Sequence, residues 1–486
     1  MSTFEQTRNM QSQEHFTVIE IDVPVVDGVC TVDGVPGFGT PLSCDQPSNA
    51  MRTYKFTQVD APYLPESGIL RLITSISESP ASLKDGQGLA SRGTASISIV
   101  DEKGIDPNPF APAVTQEVIN QGTFLAKLNA RNILANRELR IKNYRVEPNG
   151  SIDLVNGAQT RYYIVESFDY SKNGRWIIKC KDELSKVDIS ESVWPLPLEG
   201  AFRGDVNNSS TTWLVDANVT YLAGDTVRSG DELFKITSVS SIGTGAASIT
   251  TSLRGKPIVY TKFLSLTEVD SHDVDDEIFV CEVSNNEKIY DLLERILLDV
   301  GVDALFIPKS DWVAEIDEWL PNARINTLWI ESEDTSEILE RILSNYMISM
   351  WFDPVDREVK LSAISAWKQS KSSIAEGNEI DDDTVKKTKN EVLRATRAII
   401  TYDKPFLASP KSVENYRKAS LFKRSELEDA DFYGKPKTKL FDFSSILDKD
   451  SADLLVNRHV NRYINPSKYS WTTQESKLNF STGDVV

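Results

Sequence analysis

From Phe16 to about Val187 the chain reads in short runs in which apolar and polar residues alternate, separated by Gly, Pro and Asn. A period of two puts one face of an extended segment into a core and the other into water, so these runs predict strands. The clearest are Thr94–Val100, Arg161–Phe168 and Trp176–Cys180, the last two joined through a Gly-containing hairpin loop at Asp169–Gly174. A β-rich first domain is expected over residues 1–200, with the polar residues 1–15 loose.

At Trp194–Pro197 two prolines restrict the backbone, and a stiff exit into a linker is expected there. The Ser-, Thr- and Gly-rich stretch that follows holds strands such as Asp231–Val239 and Ser248–Leu253, predicting a small inserted β module over 201–265. The period then changes. Ile289, Leu292, Leu293, Ile296, Leu297 and Val300 follow helical spacing, with Ser284 and Glu287 as a capping box. A second helix repeats the pattern with Asp334 and Glu337 at its start and Ile338, Leu339, Ile342 and Leu343 along its face. The two share the wording Leu292–Leu297 and Ile338–Leu343, each followed by an expected short apolar strand ending in Pro308 or Pro354. Either a duplicated helix–strand unit or convergence of amphipathic helices explains this. An α+β domain over 266–385 is expected. A last β domain over 386–486 has a strand at Arg397–Tyr402, a helix at Ser451–Tyr463 and Pro466 as its stop. Gly483–Val486 reads as the opening of a strand, so this domain is expected to be incomplete.

At 486 residues the chain has room for about three domains of ~150 residues. Its 40% hydrophobic and 26% charged residues are those of a globular chain. No apolar run approaches the ~20 residues that cross a bilayer, and no basic-then-apolar leader opens the chain, so membrane integration and secretion are not expected. The formal net charge of −19 disfavours sequence-reading contact with nucleic acid. An acidic wall would instead let DNA slide past.

Chemistry is sparse. His15, His272 and His459 are isolated, and each is expected to be an ordinary structural histidine. No nucleophile elbow, phosphate loop or dinucleotide fingerprint occurs, and Gly34–Gly39 reads as a turn. Asp270, Asp273, Asp275, Asp276 and Glu277 lack a calcium-loop register and read as a solvated loop, as do Asp381–Asp383. Trp312, Trp319, Trp329 and Trp351 fit core or interface packing, or a sugar platform if a cleft with two carboxylates lies beside them. Cys30, Cys44, Cys180 and Cys281 are either core residues or ligands.

A series of phrases resembles the tail hub, or baseplate-like tail-tip, proteins of long non-contractile-tailed bacteriophages and of gene transfer agents. They are SISIVDEKGIDP (Ser96–Pro107), QGTFLAKLNARN (Gln121–Asn132), Leu139 with Arg140, TRYYIVESF (Thr160–Phe168) and KDEL (Lys181–Leu184). Further along come IYDLL (Ile289–Leu293), IPKSDW (Ile307–Trp312) with Glu315, Trp319 and Leu320, MWFD (Met350–Asp353) and VKLSAI (Val359–Ile364). Their order, over more than 250 residues, carries the resemblance.

The resemblance implies tube-like β-barrel hub domains in a homotrimer that closes the tail tube and is not an enzyme. It implies contact with a distal tail protein above, a central fibre or host-recognition protein below, and the end of the tape measure protein inside. DNA would pass transiently through the ring. The location implied is the virion tail tip, after assembly in the bacterial cytoplasm. Some members hold an iron–sulfur cluster, and the count of four suffices for one [4Fe–4S] centre on Cys30, Cys44, Cys180 and Cys281, although no C-x₂-C spacing supports it. The alternative is a tail-associated glycan-degrading enzyme or a carbohydrate-binding protein, the latter through residues 205–262.

Overall fold

The computed structural model describes residues 15–24, 30–32, 35–37, 51–61, 68–83, 88–103, 122–131, 133–145, 157–171, 174–189, 192–196, 199–216, 220–243, 246–254, 270–364, 384–389, 394–404, 416, 418–424, 428, 434–443, 446, 449–464 and 467–471. The expected loose start and the unfinished end at Gly483–Val486 lie almost wholly outside them. The described chain is β-rich with a few helices, as the alternation predicts.

The first nine strands are β1 (His15–Pro24), β2 (Cys30–Val32), β3 (Val35–Gly37), β4 (Met51–Gln58), β5 (Ile69–Ser79), β6 (Thr94–Val100), β7 (Glu138–Arg145), β8 (Ala158–Ser171) and β9 (Arg175–Lys181). β2 and β3 pair with each other, and the other seven close a barrel in the order β1-β4-β5-β6-β9-β8-β7. All its neighbours are antiparallel except β4 and β5. Closure leaves no free strand edge. Inward residues such as Ile19, Ile97, Ile99, Ile141, Val165 and Ile178 alternate along the strands and fill the interior.

Helix α1 (Phe124–Arg131) adds Phe124, Leu125 and Leu128 to the same core. Periodicity did not reveal this short helix, because eight residues show barely two turns. Asp101 fixes it in place, accepting from the Leu125 N–H at 2.8 Å and from Trp176 Nε1 at 2.8 Å. One carboxylate thus satisfies an orphan donor of the first helical turn and a buried indole.

β10 (Val193–Trp194) leaves the barrel, and Trp194 is wholly buried rather than part of a free linker. Its ring meets Trp329 edge-on at 5.1 Å, and its Nε1 donates to Asp299 at 2.8 Å. β11 (Glu199–Ala201), β12 (Thr212–Asp216), β13 (Thr226–Ser229), β14 (Glu232–Gly243), β15 (Ala246–Arg254) and β16 (Glu277–Lys288) form an antiparallel sheet in the order β11-β16-β13-β14-β15-β12. A bridge between Phe202 and Val215 brings its two edges together, so this second, smaller barrel is nearly closed. Phe202, Trp213, Phe234, Ile249 and Ile278 fill it.

The predicted capping box at Ser284 and Glu287 does not form. Both residues belong to β16, which pairs with β17 (Arg324–Trp329), and the helix begins at Ile289. Pairing across a long strand outweighs a local cap. After α2 (Ile289–Asp299) the chain takes a 3₁₀ turn at Ala304–Phe306 and then α3 (Lys309–Trp319), so no strand follows the first helix. β18 (Glu333–Asp334) pairs with β10, and α4 (Thr335–Tyr346) is followed by the hairpin β19 (Ile348–Asp353) and β20 (Glu358–Ala363). Asp334 caps α4 as expected, accepting from the N–H groups of Ser336 and Glu337. The two similar helices are therefore not a duplicated helix–strand unit.

The C-terminal elements are β21 (Lys386–Lys389), β22 (Arg397–Tyr402), β23 (Lys418–Lys423), β24 (Thr438–Phe443), α5 (Lys449–Tyr463) and β25 (Ser467–Ser470). β23-β22-β24 make one sheet and β21 with β25 a separate ribbon. Ala398, Ile400 and Phe443 of the sheet and Leu455, Val456 and Val460 of α5 share one continuous core with α2, α3 and α4. Within the described residues no helix is long and apolar enough to cross a membrane.

Candidate functional site: the seam between barrel and helical layer

Two bodies with apolar cores of their own meet along a seam built from backbone. The Ala90 N–H donates to the Met350 carbonyl at 2.9 Å, and the Met350 N–H returns a bond to the Gly88 carbonyl at 2.8 Å. The Leu89 N–H donates to Glu340 at 3.0 Å and the Gly88 N–H to Ser344 Oγ at 3.2 Å, both on α4. On the other side the Tyr162 N–H reaches the Pro354 carbonyl at 3.0 Å. Residues far apart in sequence thus share one strand-like register.

Beside the seam lies a cleft of about 200 Å³, with Asn136, Glu138 and Tyr162 on the barrel side and Asp303, Phe306 and Arg357 opposite. Arg357 pairs with Glu138 and lies over the rings of Tyr162 at 4.8 Å and Phe306 at 4.9 Å. Glu183 pairs with Lys186, whose ammonium also donates to the Gly301 carbonyl at 2.8 Å. Asp303 accepts from the Leu305 N–H at 2.9 Å. Each carboxylate is committed to a cation or an N–H of its own chain. The arrangement ties two bodies together and leaves no acid and base facing an empty reaction centre.

At the root of the seam Asp182 is 2% exposed and accepts from the Gly93 N–H. Burial pushes its carboxyl up to about 7, against the opposing pull of that bond and of Arg92. A carboxyl whose folded value is raised contributes fully to stability below its ordinary value of 3.8, and that contribution is lost progressively as pH rises from there through about 7. Asp182→Asn keeps the acceptor for Gly93 and carries no charge. Its melting temperature is expected to match the parent near pH 3.5, below the ordinary carboxylate value of 3.8, and to exceed it at pH 8.5. Equal melting temperatures at both values would remove Asp182 as the source of the pH dependence.

The residues singled out from sequence are dispersed. His15 opens β1. His459 is buried on α5 between Phe441 and Phe443, and burial lowers its pKa to about 4, so it is a neutral core residue. Asp273 and Asp276 close a turn on themselves, the Asp273 N–H donating to Asp276 at 2.9 Å. Among the described residues no group of three or more His, Cys, Asp or Glu could hold a metal ion. Asp381–Asp383 lie outside the described residues. Trp312 is 1% exposed and donates to the Val359 carbonyl at 2.8 Å, while Trp329 and Trp351 are also buried and Trp319 partly so. They pack cores and form no exposed platform.

Cys180 sits in the barrel core and Cys281 in a separate cluster with Leu233 and Leu328. Burial raises both thiols, Cys281 to about 12. Two protonated thiols in different apolar clusters do not fit one iron–sulfur centre that needs thiolates side by side. The side chain of Cys30 and the whole of Cys44 lie outside the described residues. With excess iodoacetamide at pH 8, Cys180 and Cys281 are expected to stay unmodified in the folded protein and to react in denaturant. Rapid labelling of either in the fold, mapped by mass spectrometry, would contradict its placement.

One buried polar cluster was missed. Glu232 is 1% exposed and receives Arg254 through two bonds of 2.8 and 2.7 Å. His272 Nε2 lies 2.9 Å from the same carboxylate, and the Asp270 N–H donates to it at 3.1 Å. Arg254 lies over Trp213 at 5.3 Å, and His272 stacks on Phe202 at 5.2 Å. The cluster clamps β14, the end of β15 and the approach to β16. A charge in phase with the inward residues Phe234 and Ile236 was the available signal.

No protein-family model matches the chain, and no curated protein matches it. Among solved structures it is similar to the 43 kDa tail protein of prophage MuSo2 from Shewanella oneidensis, at 11% identity over 59% of this chain and 81% of that one, with a TM-score of 0.26. It is also similar to the prophage tail protein gp18 from Listeria monocytogenes EGD-e, at 10% identity over 57% of this chain and 75% of that one, with a TM-score of 0.27. Overlaps this loose carry no argument about fold or role.

Proposed function

We propose that the chain is a structural component of a phage tail: a hub that forms a trimeric ring at the tail tip, assembled in the bacterial cytoplasm. The observation that carries this reading is where the family-like phrases fall. SISIV is β6, the phrase at Gln121–Asn132 spans α1, and TRYYIVESF lies in β8, all parts of the barrel. IPKSDW leads into α3, MWFD is the end of β19 and VKLSAI lies along β20, all on the helical side. Met350 and Tyr162, which belong to these phrases, make the backbone bonds of the seam. The shared wording is thus concentrated on what holds two bodies in fixed relation, as a load-carrying ring component requires.

In this role the ring joins a distal tail protein to a central fibre or host-recognition protein, receives the end of the tape measure protein and lets DNA pass. A glycan-degrading or carbohydrate-binding protein is the alternative, and the buried tryptophans and committed carboxylates weigh against it. A [4Fe–4S] centre on Cys30, Cys44, Cys180 and Cys281 would require Cys180 and Cys281 to leave their separate clusters.

Native mass spectrometry of protein purified without oxygen tests these points together. The expected species has three times the chain mass of 54.3 kDa and forms threefold rings under negative stain. Cluster mass on each chain would restore the iron–sulfur proposal. A monomer that hydrolyses cell-wall glycans would replace the hub by the enzyme.

A further inference from the structure

Charge is segregated along this chain. Between residues 384 and 471 stand eighteen lysines and arginines against eleven aspartates and glutamates, a net of +7, which leaves −26 on the remainder. Within that segment, the ribbon of β21 and β25 is largely open where its residues are described. All four residues of β21 are exposed, and Lys386, Lys387 and Lys389 make no ion pair among the described residues. In the ladder Lys387 lies opposite Tyr469, and Lys389 opposite Ser467, so Lys387, Lys389 and Tyr469 share one face. Tyr469 is 52% exposed, with the Lys387 ammonium 5.2 Å from its ring centroid.

Three exposed lysines kept off carboxylates among the described residues, in a chain with a large surplus of carboxylates, do not serve the internal electrostatics of the described fold. The acidic remainder does not cancel them at a distance, because screening at 0.1 M salt acts beyond ~10 Å. An accessible aromatic ring among unpaired cations is a combination that receives a phosphate backbone and lets a base stack. An acidic protein surface would use the lysines and leave the ring idle.

We propose that the β21–β25 ribbon is a non-specific nucleic-acid contact, with Lys387 and Lys389 on phosphates, Tyr469 of the same face as a stacking surface, and Lys386 on the other face adding to the local positive potential. This goes beyond the proposed hub role, in which DNA only slides past.

The test is fluorescence anisotropy of the full chain with labelled DNA of about 20 nucleotides, single-stranded or duplex, over a salt series starting near ~50 mM. The wild type is expected to bind. The triple variant Lys386→Glu, Lys387→Glu, Lys389→Glu is expected to bind at least tenfold more weakly, with a single-strand salt slope flatter by about 1.4 for the two lost phosphate contacts of Lys387 and Lys389. A triple Lys→Gln variant, expected to weaken binding less, guards against a folding defect, and near-UV circular dichroism checks both. Tyr469→Ala is expected to weaken single-strand binding and leave duplex binding unchanged. Absence of wild-type binding at the lowest salt would overturn the inference, as would unchanged binding by the triple variant. Equal competition by poly-glutamate would reassign the ribbon to an acidic protein partner. A protein that binds DNA through the ribbon but forms no ring would sink the hub and keep the ribbon. A ring that does not bind would do the reverse.

Discussion

Gly88→Ala is expected to pull the seam apart. A methyl group built at Gly88 would stand 2.3 Å from Leu343 Cβ and 2.7 Å from both the Leu343 carbonyl carbon and the Ser344 nitrogen. Two of these three neighbours are backbone atoms of α4, so no side-chain rotation relieves the clash. Either the loop at residues 88–90 or the helix must shift. A shift breaks the bonds from Gly88 and Leu89 to Ser344 and Glu340 and the paired bonds with Met350. Overpacking of this kind costs about 3 kcal/mol, at the upper end of its usual range. The expected readout is a thermal transition that splits in two as barrel and helical layer unfold separately, with new protease cutting near residues 88–90. Ala90→Gly, which adds no atoms, is the control and is expected to melt as a single unit. A Gly88→Ala protein that melts like the wild type would show that the close approach to α4 does not exist in solution.

The second large effect is expected at Glu232. Glu232→Gln keeps the volume and one acceptor but leaves Arg254 buried, with 7% of its side chain exposed, facing no charge. Removing one partner of a buried pair costs about 3–5 kcal/mol, more than the pair itself contributes, because the surviving charge stays desolvated. Burial alone would raise the Glu232 carboxyl. Hydrogen bonds from His272, Arg254 and the Asp270 N–H overcome that and hold it at about 2. Since the folded value is depressed from 4.5, the stabilisation is present above about pH 4.5 and lost as pH falls towards 2. The wild-type small barrel should therefore loosen in that acid window, while Glu232→Gln, already weakened at pH 7, should show a flatter acid limb. Urea unfolding at pH 7 and an acid titration followed by near-UV circular dichroism read both effects. A loss below about 1 kcal/mol at pH 7 would mean that water reaches Arg254 and the cluster is a surface feature.

Much of the secondary structure was legible because it is local. β6 was read residue for residue from Thr94–Val100, and β22 from Arg397–Tyr402, since an alternating run carries both the strand and its inward face in a few positions. The caps show where locality ends. Asp334 caps α4 as its spacing predicts, whereas Ser284, placed as plausibly three residues before Glu287, was drawn into β16 by a partner strand some forty residues away. The word shared by α2 and α4 suggested a repeat. Similar amphipathic faces were put to different uses, one followed by a 3₁₀ turn and one by a strand.

The site was hardly legible at all. Gly88 and Ser344 are 256 positions apart, Glu232 and His272 forty, and nothing in the spacing of either pair connects them. The chain's own chemistry determined that this is a β-rich molecule with a few amphipathic helices, short of catalytic motifs, acidic as a whole but net positive over residues 384–471. Side-chain period and charge act over a few residues and are read without knowing the fold. Which residues share a seam, that Cys180 and Cys281 occupy different cores, and that Glu232, Arg254 and His272 form one clamp were decided only in three dimensions. Barrel closure and the docking of helices on sheets bring distant segments to within hydrogen-bonding distance, and the free energy that selects those contacts belongs to the packed whole.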